Sequence, residues 1–382
     1  MRNETEILKV AIVGCGKIAD VHASQMMRVG GCEIVGVCDR EPLMASQLAA
    51  RFPVKRQFVD LEEMLKTAQP EVVHITTSPA SHFDIARLSL QHGAHVYVEK
   101  PITLYADQAQ KLVDLANERG LKLTVGHSDQ FSPVSRRMKD LVKTGYLGGT
   151  PVHMESYYCY DLGDPSYAKA LLGDKQHWVR RLPGQLLQNI ISHGIARIAE
   201  FLTTDSPRVI AHGFTSPLLK SINETEIVDE LRVIISEEER TTAYFTFSSQ
   251  MRPSIHEFRI YGPKNGLVLD GDHDILLRLR GDKFKSYADK FLPPALFAKQ
   301  HLGNLITNMK LFLVNDFHMD SGIKYLIEAF YQSIRQGGPL PIAYREIVLT
   351  ARIMDAIFEQ VSAGSTNGQL APKERPIIGI ER

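Results

Sequence analysis

The sequence predicts an α/β chain in two parts, a parallel sheet first and then an α+β domain with a large open, mainly antiparallel sheet. In the first third, short β-branched strands alternate with helical patterns, which is typical of right-handed βαβ units. After Gly149 the strands are longer, lie close together and often alternate apolar with polar residues, which indicates a sheet covered on one face. A length of 382 residues suits two domains.

The first part combines five short strands with five helical patterns. The strands are KVAIVG, EIVGVCD, VVHITT, HVYVEK and LKLTVGH. Helical patterns run over 17–29, 42–52, 61–68, 81–92 and 105–119. We place the end of this domain near Gly126 and assign residues 1–126 to it.

The second part, residues 127–382, has a different pattern. Its strands are PVHMESYYCY, RVIAHGFTS, DELRVIISEE, RTTAYFTFSS and HEFRIYG, and one helix over 184–202 interrupts them. The stretch 282–321 breaks the sheet pattern with apolar and basic residues, which suit a subunit interface or a cover over a site, and less well a peripheral membrane contact. An open sheet commonly pairs with another copy, so we expect a homodimer or homotetramer.

The composition argues against several classes of protein and of partner. Acidic and basic residues balance at 44 each, which argues against a nucleic-acid or anionic-membrane partner. No window reaches the roughly 18 apolar residues of a membrane span, and the first residues do not have the pattern of a signal peptide. The scattered histidines predict no metal site. We expect a cytoplasmic protein with reduced, structural cysteines: Cys15, Cys32, Cys38 and Cys159.

The segment GCGKIA, residues 14–19, follows the first strand and opens a helix. Gly14 permits a tight turn, Gly16 lets the backbone approach a pyrophosphate, and Ala19 is small where the helix packs on the strand. Lys17 and Ile18 complete the first helical turn, whose free N–H groups favour a diphosphate. The pattern predicts a Rossmann-type dinucleotide site.

Asp39 ends the second strand about 20 residues after Ala19, the third small residue of the turn, as this fingerprint requires. A carboxylate at that position accepts a hydrogen bond from a ribose 2′-hydroxyl and repels a 2′-phosphate. NAD is therefore the expected cofactor. Arg40 follows directly, and its guanidinium suits a 2′-phosphate, so NADP remains an alternative.

Two further stretches make a family recognisable. TTSPASH, residues 76–82, follows the third strand, and EKP, residues 99–101, follows the fourth. With GCGKIA and Asp39 they resemble the Gfo/Idh/MocA family, the group of glucose–fructose oxidoreductase and inositol dehydrogenase. The resemblance implies a late helix, about 344–361, that packs back on the first domain. It also implies a catalytic cleft beside the nicotinamide that contains Lys100, and a cofactor lining of Thr77, Ser78, Pro79, His82 and Glu99.

The family also carries an Asp and a His four residues apart on a central helix. Here His193 matches the histidine, but Asn189 stands where the aspartate is usual, and Ala196 replaces a second acid. Positions 189 and 193 share one helix face, which is polar among apolar neighbours. We expect His193 to take the proton of a sugar hydroxyl as hydride leaves, with Lys100 bonded to the same oxygen.

Four more residues are weaker candidates for contacts with the substrate. The family often places such contacts after the last strand of the first domain, which singles out Gln130. Tyr157 closes the strand PVHMESYYCYD near the expected cleft. Trp178 and Arg180 lie in the loop before the central helix, where a sugar-stacking or phosphate-binding role competes with core filling by Trp178.

The leading hypothesis is an NAD(P)-dependent oxidoreductase acting on a secondary hydroxyl of a sugar, sugar nucleotide or cyclitol. Because asparagine cannot accept a proton, Asn189 keeps open a redox-neutral alternative, in which tightly held NAD enables epimerisation, elimination or glycoside cleavage. The least favoured alternative is a non-catalytic sugar or nucleotide sensor.

Overall fold

Two sheets organise the chain, as seen in a computed structural model that describes residues 7–161, 174–238, 240–317 and 320–365. Both the parallel first sheet and the mainly antiparallel second sheet confirm the predicted fold class. In the described part of the chain, no helix is long and apolar enough to cross a membrane.

The first sheet has six parallel strands in the order β3-β2-β1-β4-β5-β6. Its strands are β1 Leu8–Val13, β2 Cys32–Cys38, β3 Gln57–Phe58, β4 Val72–Ile75, β5 His95–Val98 and β6 Leu123–Val125. The helices between them are α1 Lys17–Val29, α2 Pro42–Arg51, α3 Leu61–Ala68, α4 His82–Gln91 and α5 Ala106–Glu118. The strand order reverses beside β1, where α/β sheets bind ligands at the carboxyl ends of their strands.

The second sheet has seven strands in the order β13-β12-β11-β7-β10-β9-β8, and only β7 and β10 pair in parallel among them. Its strands are β7 His153–Cys159, β8 Arg208–Phe214, β9 Glu230–Ser236, β10 Thr242–Ser248, β11 Ile255–Tyr261, β12 Asn265–Asp270 and β13 Ile275–Arg280. The last two strands are not predicted from the sequence; Gly266 lies inside β12 and interrupts its pattern.

The remaining helices surround the second sheet and return to the first. They are α6 Pro133–Lys143, α7 Gln185–Ile190, α8 Ser192–Ala199, α9 Pro217–Ser221, α10 Ala288–Leu313, α11 Ser321–Gln336 and α12 Tyr344–Ser365. Helix α12 contacts α5, α8 and β8, so it touches both parts of the chain. The carboxylate of Asp355 on α12 accepts a hydrogen bond of 2.8 Å from the amide of Ala106, at the start of α5.

The inner face of the second sheet is buried under α8. Gly194 makes this close approach possible, because a Cβ there would overlap the ring of Phe245 on β10. Ser156 on β7 donates a hydrogen bond of 3.1 Å to the Gly194 carbonyl. On the opposite face, Ile210, Ile234 and Tyr244 are 46%, 44% and 50% exposed, so that face lies open.

The core of the first sheet includes residues from the far end of the chain. Ile323, Phe330 and Tyr331 of α11 are buried in the same cluster as the strands β1 to β6, although the sequence pattern had assigned them to the second domain. Helix α11 packs on α1. The first sheet is therefore completed by a segment that follows the entire second sheet.

The central helix predicted over 184–202 is divided. Helix α7 ends at Ile190, α8 begins at Ser192, and Ile191 between them keeps a helical backbone with φ −72° and ψ −13°. Hydrogen bonds from Ile191 N to Leu187 O and from Ile195 N to Ile191 O carry the chain across the break. Asn189 and His193 therefore lie on two consecutive short helices.

Candidate active site

The glycine turn after β1 has the geometry of a dinucleotide cradle. Gly14 has φ +91°, and a Cβ there would lie 2.6 Å from Cγ2 of Thr77 in the neighbouring loop. Gly16 caps α1 without a side-chain hydrogen bond, and a Cβ there would meet nothing within 4 Å. Ala19, in the first turn of α1, is fully buried. A close backbone, open space and a helix N-terminus fit the diphosphate of NAD.

Asp39 stabilises the cradle from the end of β2. One carboxylate oxygen accepts a hydrogen bond of 2.7 Å from the amide of Cys15, and the other accepts one of 2.9 Å from the amide of Glu41. Asp39 is half-buried, whereas the neighbouring Arg40 is exposed. The carboxylate at the strand end fits an adenosine ribose, and each of its oxygens keeps a further lone pair.

The predicted cofactor loop closes the other side of the cradle. Thr77 is half-buried, Ser78 is exposed, and Pro79 is buried at the start of a short 3-10 turn. His82 lies fully buried behind them, with Nδ1 2.8 Å from the carbonyl of Pro101 and Nε2 3.0 Å from the carbonyl of Thr77. His82 thus joins the cofactor loop to the EKP turn, and both of its ring nitrogens are engaged with backbone.

Glu99 of EKP is held by a buried chain of hydrogen bonds. Its carboxylate is 2.9 Å from His22 Nε2, His22 Nδ1 is 2.9 Å from His74 Nδ1, and His74 Nε2 is 3.0 Å from the Tyr331 hydroxyl. One set of neutral tautomers satisfies all three bonds, with Tyr331 donating to His74, His74 to His22 and His22 to Glu99. Burial drives the pKa of His74 well below its ordinary value, which agrees with a neutral ring.

Although burial alone would raise the pKa of Glu99, the hydrogen bond from His22 and the charge of Lys100 lower it. Glu99 therefore stays ionised beside Lys100. Burial in turn lowers the pKa of Lys100, and the carboxylates of Glu99 and Asp129 partly oppose that effect. Lys100 is thus a partly desolvated cation between two acids, an arrangement that is common in catalytic clefts.

The Lys100 side chain reaches across to the central helix. Its Nζ donates a hydrogen bond of 2.9 Å to the backbone carbonyl of Asn189. In a continuous helix that carbonyl would accept from the amide of His193, so the break at Ile191 makes it available to the lysine. The contact depends on the backbone of residue 189, and it would form equally with aspartate or asparagine there.

His193 lies on the other side of the cleft and is buried, with only 9% of its surface exposed. Its Nδ1 is 3.8 Å from the carboxylate of Asp129, and its ring stacks on Tyr158 with centroids 5.8 Å apart. Burial lowers the pKa of His193, and Asp129 partly opposes this while Lys100 reinforces it. A neutral imidazole beside a carboxylate can accept a proton and hold the resulting charge.

Asp129, in the turn between β6 and α6, places a carboxylate beside His193, whereas the central helix has Asn189 in place of an acid. Besides facing His193, it accepts a hydrogen bond of 3.1 Å from the Tyr158 hydroxyl and lies 3.8 Å from Arg197. Burial would raise the pKa of Asp129, but His193, Arg197 and the bond from Tyr158 lower it to about 2. Asp129 therefore stays ionised at every ordinary pH.

Two of the predicted substrate residues lie one position away from the cluster. The Gln130 side chain is buried beneath α8, where its amide donates to Ala196 O at 3.4 Å and to Glu200 at 3.0 Å. Tyr157 lies on the open face of the second sheet, where its hydroxyl donates to Glu155 at 3.4 Å. Their neighbours Asp129 and Tyr158 take the places beside His193.

The other two predicted substrate residues lie outside the His193 cluster. Arg180 pairs with Glu224 at 2.7 Å, and the two side chains are only 7% and 11% exposed. Trp178 is half-buried and packs against the core of the second sheet, with His177 at a centroid distance of 5.7 Å. Both residues contribute to packing in the places where the structure puts them.

Sequence reasoning missed Asp129, Tyr158 and Arg197, and two of these left a signal. Asp129 is the only acid in the turn between β6 and α6. Tyr158 alternates with the buried Met154 and Ser156 along β7, so the period of two puts it on the covered face. No comparable pattern distinguishes Arg197, which is 5% exposed within an apolar helix.

Comparisons with known proteins show what the chain is similar to. A family model described as the Gfo/Idh/MocA oxidoreductase family, NAD-binding Rossmann fold, matches residues 8–127. D-glucoside 3-dehydrogenase of Escherichia coli (strain K12) is 32% identical over 142 residues, 37% of this chain and 40% of that protein. The chain thus spans less than half the length of that curated relative.

A longer match reaches both domains. The scyllo-inositol 2-dehydrogenase (NAD(+)) of Bacillus subtilis (strain 168) is 23% identical over 347 residues, 88% of this chain and 96% of that protein. The structure of the WlbA dehydrogenase from Bordetella pertussis, in complex with NADH and UDP-GlcNAcA, superposes with a TM-score of 0.73 at 16% identity, over 94% of this chain and 96% of that one. Its likeness shows the shared fold. Residues 8–127 thus match the NAD-binding Rossmann domain of the Gfo/Idh/MocA oxidoreductase family, and the chain as a whole is similar in fold to the WlbA dehydrogenase.

Proposed function

We propose that this protein is an NAD(P)-dependent dehydrogenase that oxidises, or in reverse forms, a secondary hydroxyl of a sugar, sugar nucleotide or cyclitol. The observation that carries the proposal is the convergence of Lys100, His193 and Asp129 in one cleft at the carboxyl ends of the first sheet. The dehydrogenase names of the relatives point in the same direction.

Four side chains of this protein have separate roles in the proposed reaction. His193 takes the hydroxyl proton, and Asp129 stabilises the imidazolium that results. Lys100 donates a hydrogen bond to the substrate oxygen as the C–O bond becomes a carbonyl, and Glu99 keeps that lysine charged. Bound NAD supplies the acceptor for the hydride that leaves the same carbon. A positioned base of this kind contributes about 10²–10⁴-fold in rate.

Asn189 motivated the redox-neutral alternative, because an asparagine cannot serve as the second acid. The position of Asp129 supports simple dehydrogenation instead, since His193 has a carboxylate neighbour without a change at residue 189. We therefore keep net oxidation as the proposed reaction and NAD as the preferred cofactor, with Asp39 as its ribose contact.

The test is a screen of sugars and cyclitols with NAD⁺ and NADP⁺, followed by absorbance of the reduced nicotinamide. We expect turnover to fall at least a hundredfold in Lys100→Ala and His193→Ala, while NAD binding is retained. His92→Ala and Lys143→Ala, at exposed positions, serve as matched controls. Unchanged turnover in both site variants would overturn the assignment, and turnover without net NADH would favour the redox-neutral alternative.

We also propose that the open face of the second sheet pairs with another copy in a homodimer or homotetramer. Ile210, Ile234 and Tyr244 supply the exposed apolar side chains for such an interface. Light scattering of the purified protein tests this, with Ile234→Glu expected to lower the mass to that of a smaller species. A monomeric wild-type protein would contradict it.

A further inference from the structure

Helix α10 turns its polar side toward the protein. The side-chain oxygen of Asn304 accepts a hydrogen bond of 3.2 Å from Leu276 N, and its side-chain nitrogen donates one of 3.0 Å to Leu276 O. One turn earlier, the amide of Gln300 accepts from Arg278 N at 2.7 Å and donates to Arg278 O at 3.2 Å. These amides pair with the backbone of β13, which is the last strand of its sheet. The polar side of α10 thus covers a sheet edge.

The outward side of the same helix is apolar along its length. Its exposed side chains, with their exposed fractions, are Phe291 72%, Leu302 58%, Leu305 54%, Ile306 45%, Met309 56%, Phe312 69% and Leu313 78%. From Phe291 to Leu313 the stripe is about 33 Å long. A surface helix ordinarily shows the opposite arrangement, and a continuous exposed apolar patch marks an interaction site.

Positive charge surrounds this stripe. Residues 282–314 contain five lysines, Lys283, Lys285, Lys290, Lys299 and Lys310, against only Asp282 and Asp289. All five lysines are exposed. The whole chain has no net charge, so the excess is local to α10 and the residues just before it.

The charge decides between two occupants of the stripe. If α10 met α10 of a second copy about a twofold axis, lysines would face lysines across the contact, and lysine is depleted from protein interfaces. An anionic bilayer surface accepts the apolar stripe among its acyl chains and the lysines among its headgroups. The helix need not cross the bilayer, because it would lie in the plane of the surface.

We propose that α10 anchors this protein to the surface of anionic lipid bilayers, with the Phe291–Leu313 stripe inserted and the surrounding lysines at the headgroups. The anchoring is reversible and depends on salt, since part of its free energy is electrostatic. It is independent of the proposed dehydrogenase reaction, because none of the residues involved lies in the cleft.

The test is flotation of the full-length protein with vesicles of phosphatidylcholine alone and of phosphatidylcholine mixed with phosphatidylglycerol. We expect binding to the anionic vesicles that weakens as salt is raised. Leu305→Ser/Phe312→Ser should weaken partition about tenfold or more, by loss of buried apolar area. Lys299→Gln/Lys310→Gln should weaken it about fivefold for each lysine.

Matched controls lie elsewhere on the surface. Leu43→Ser, at a leucine that is 66% exposed on α2, and Lys143→Gln, on α6, should leave partition unchanged. Absence of vesicle binding, equal binding to both lipid mixtures, or an equal loss in the controls would overturn the proposal. So would a fall in oligomer mass in Leu305→Ser/Phe312→Ser with vesicle binding intact, which would assign the stripe to a second copy.

Discussion

The Asp129→Asn substitution isolates the contribution of a carboxylate that sequence reasoning did not find. It keeps the size of the side chain and removes the charge that faces His193 Nδ1 at 3.8 Å. At that distance the attraction between unit charges is about 1 kcal/mol in water and about 4 kcal/mol at an effective dielectric constant near 20. The Asp129 side chain is 30% exposed and that of His193 is 10% exposed, so the environment lies between these limits.

Loss of that attraction destabilises the imidazolium formed as the substrate is oxidised. We expect kcat/KM to fall by about fivefold to a thousandfold, at one factor of ten for each 1.4 kcal/mol. NAD affinity should not change. Because Asp129 also raises the pKa of His193 and of Lys100, its removal lowers both. The acid and alkaline limits of activity should therefore both move to lower pH.

The assay is the pH profile of kcat/KM for the wild type, Asp129→Asn and the control Asp84→Asn. Asp84 is also a carboxylate, but it pairs with Arg87 on the surface of α4, where it is 67% exposed. A purely structural role for Asp129 would lower the folded fraction without moving the profile. A profile that stays in place, or an acid limit that moves to higher pH, would refute the reasoning.

Four further substitutions test the fold and the cradle. Gly194→Ala should lower the free energy of unfolding by about 1–3 kcal/mol, because its Cβ overlaps the Phe245 ring. Gly303→Ala, whose Cβ would meet nothing within 4 Å, should raise the free energy of unfolding by about 0.5–1 kcal/mol. Thermal or urea unfolding of the two variants and the wild type measures both changes. Arg180→Met should cost about 3–5 kcal/mol of stability by leaving a buried carboxylate without its partner, with kcat/KM of the folded enzyme unchanged; lost activity at full stability would instead support a substrate contact. Asp39→Ala should weaken NAD binding about 10–100-fold and shift preference toward NADP, as measured by titration calorimetry. Equal affinity of the wild type and Asp39→Ala for NAD would exclude the ribose contact.

The first sheet was predictable because its signals are local. The spacing of GCGKIA from Asp39 and the position of EKP after a strand each depend on a few adjacent residues. The position of Lys100 at a strand end follows from the same pattern. What it touches, the carbonyl of Asn189, depends on a helix break 89 residues further along the chain. No local pattern reports such a contact.

The cluster around His193 was harder to predict from the sequence, because its contacts also depend on residues that are distant in the chain. Gln130 and Tyr157, the residues proposed from the sequence, each lie one position away from the side chains that face His193. In a strand a shift of one residue changes the face, and Tyr157 and Tyr158 are both tyrosines, so residue type could not separate them. In the 3-10 turn that holds Asp129, no regular period connects residue number to direction.

The late return of the chain to the first sheet has a consequence during synthesis. Phe330 and Tyr331 fill the core around β1 to β6, and Tyr331 ends the hydrogen-bond chain that reaches Glu99. A ribosome makes them only after the entire second sheet has emerged. The nucleotide-binding half is translated first, but its apolar surface stays exposed until α11 has been synthesised and packs on it. We expect chaperone binding to be strongest during that interval.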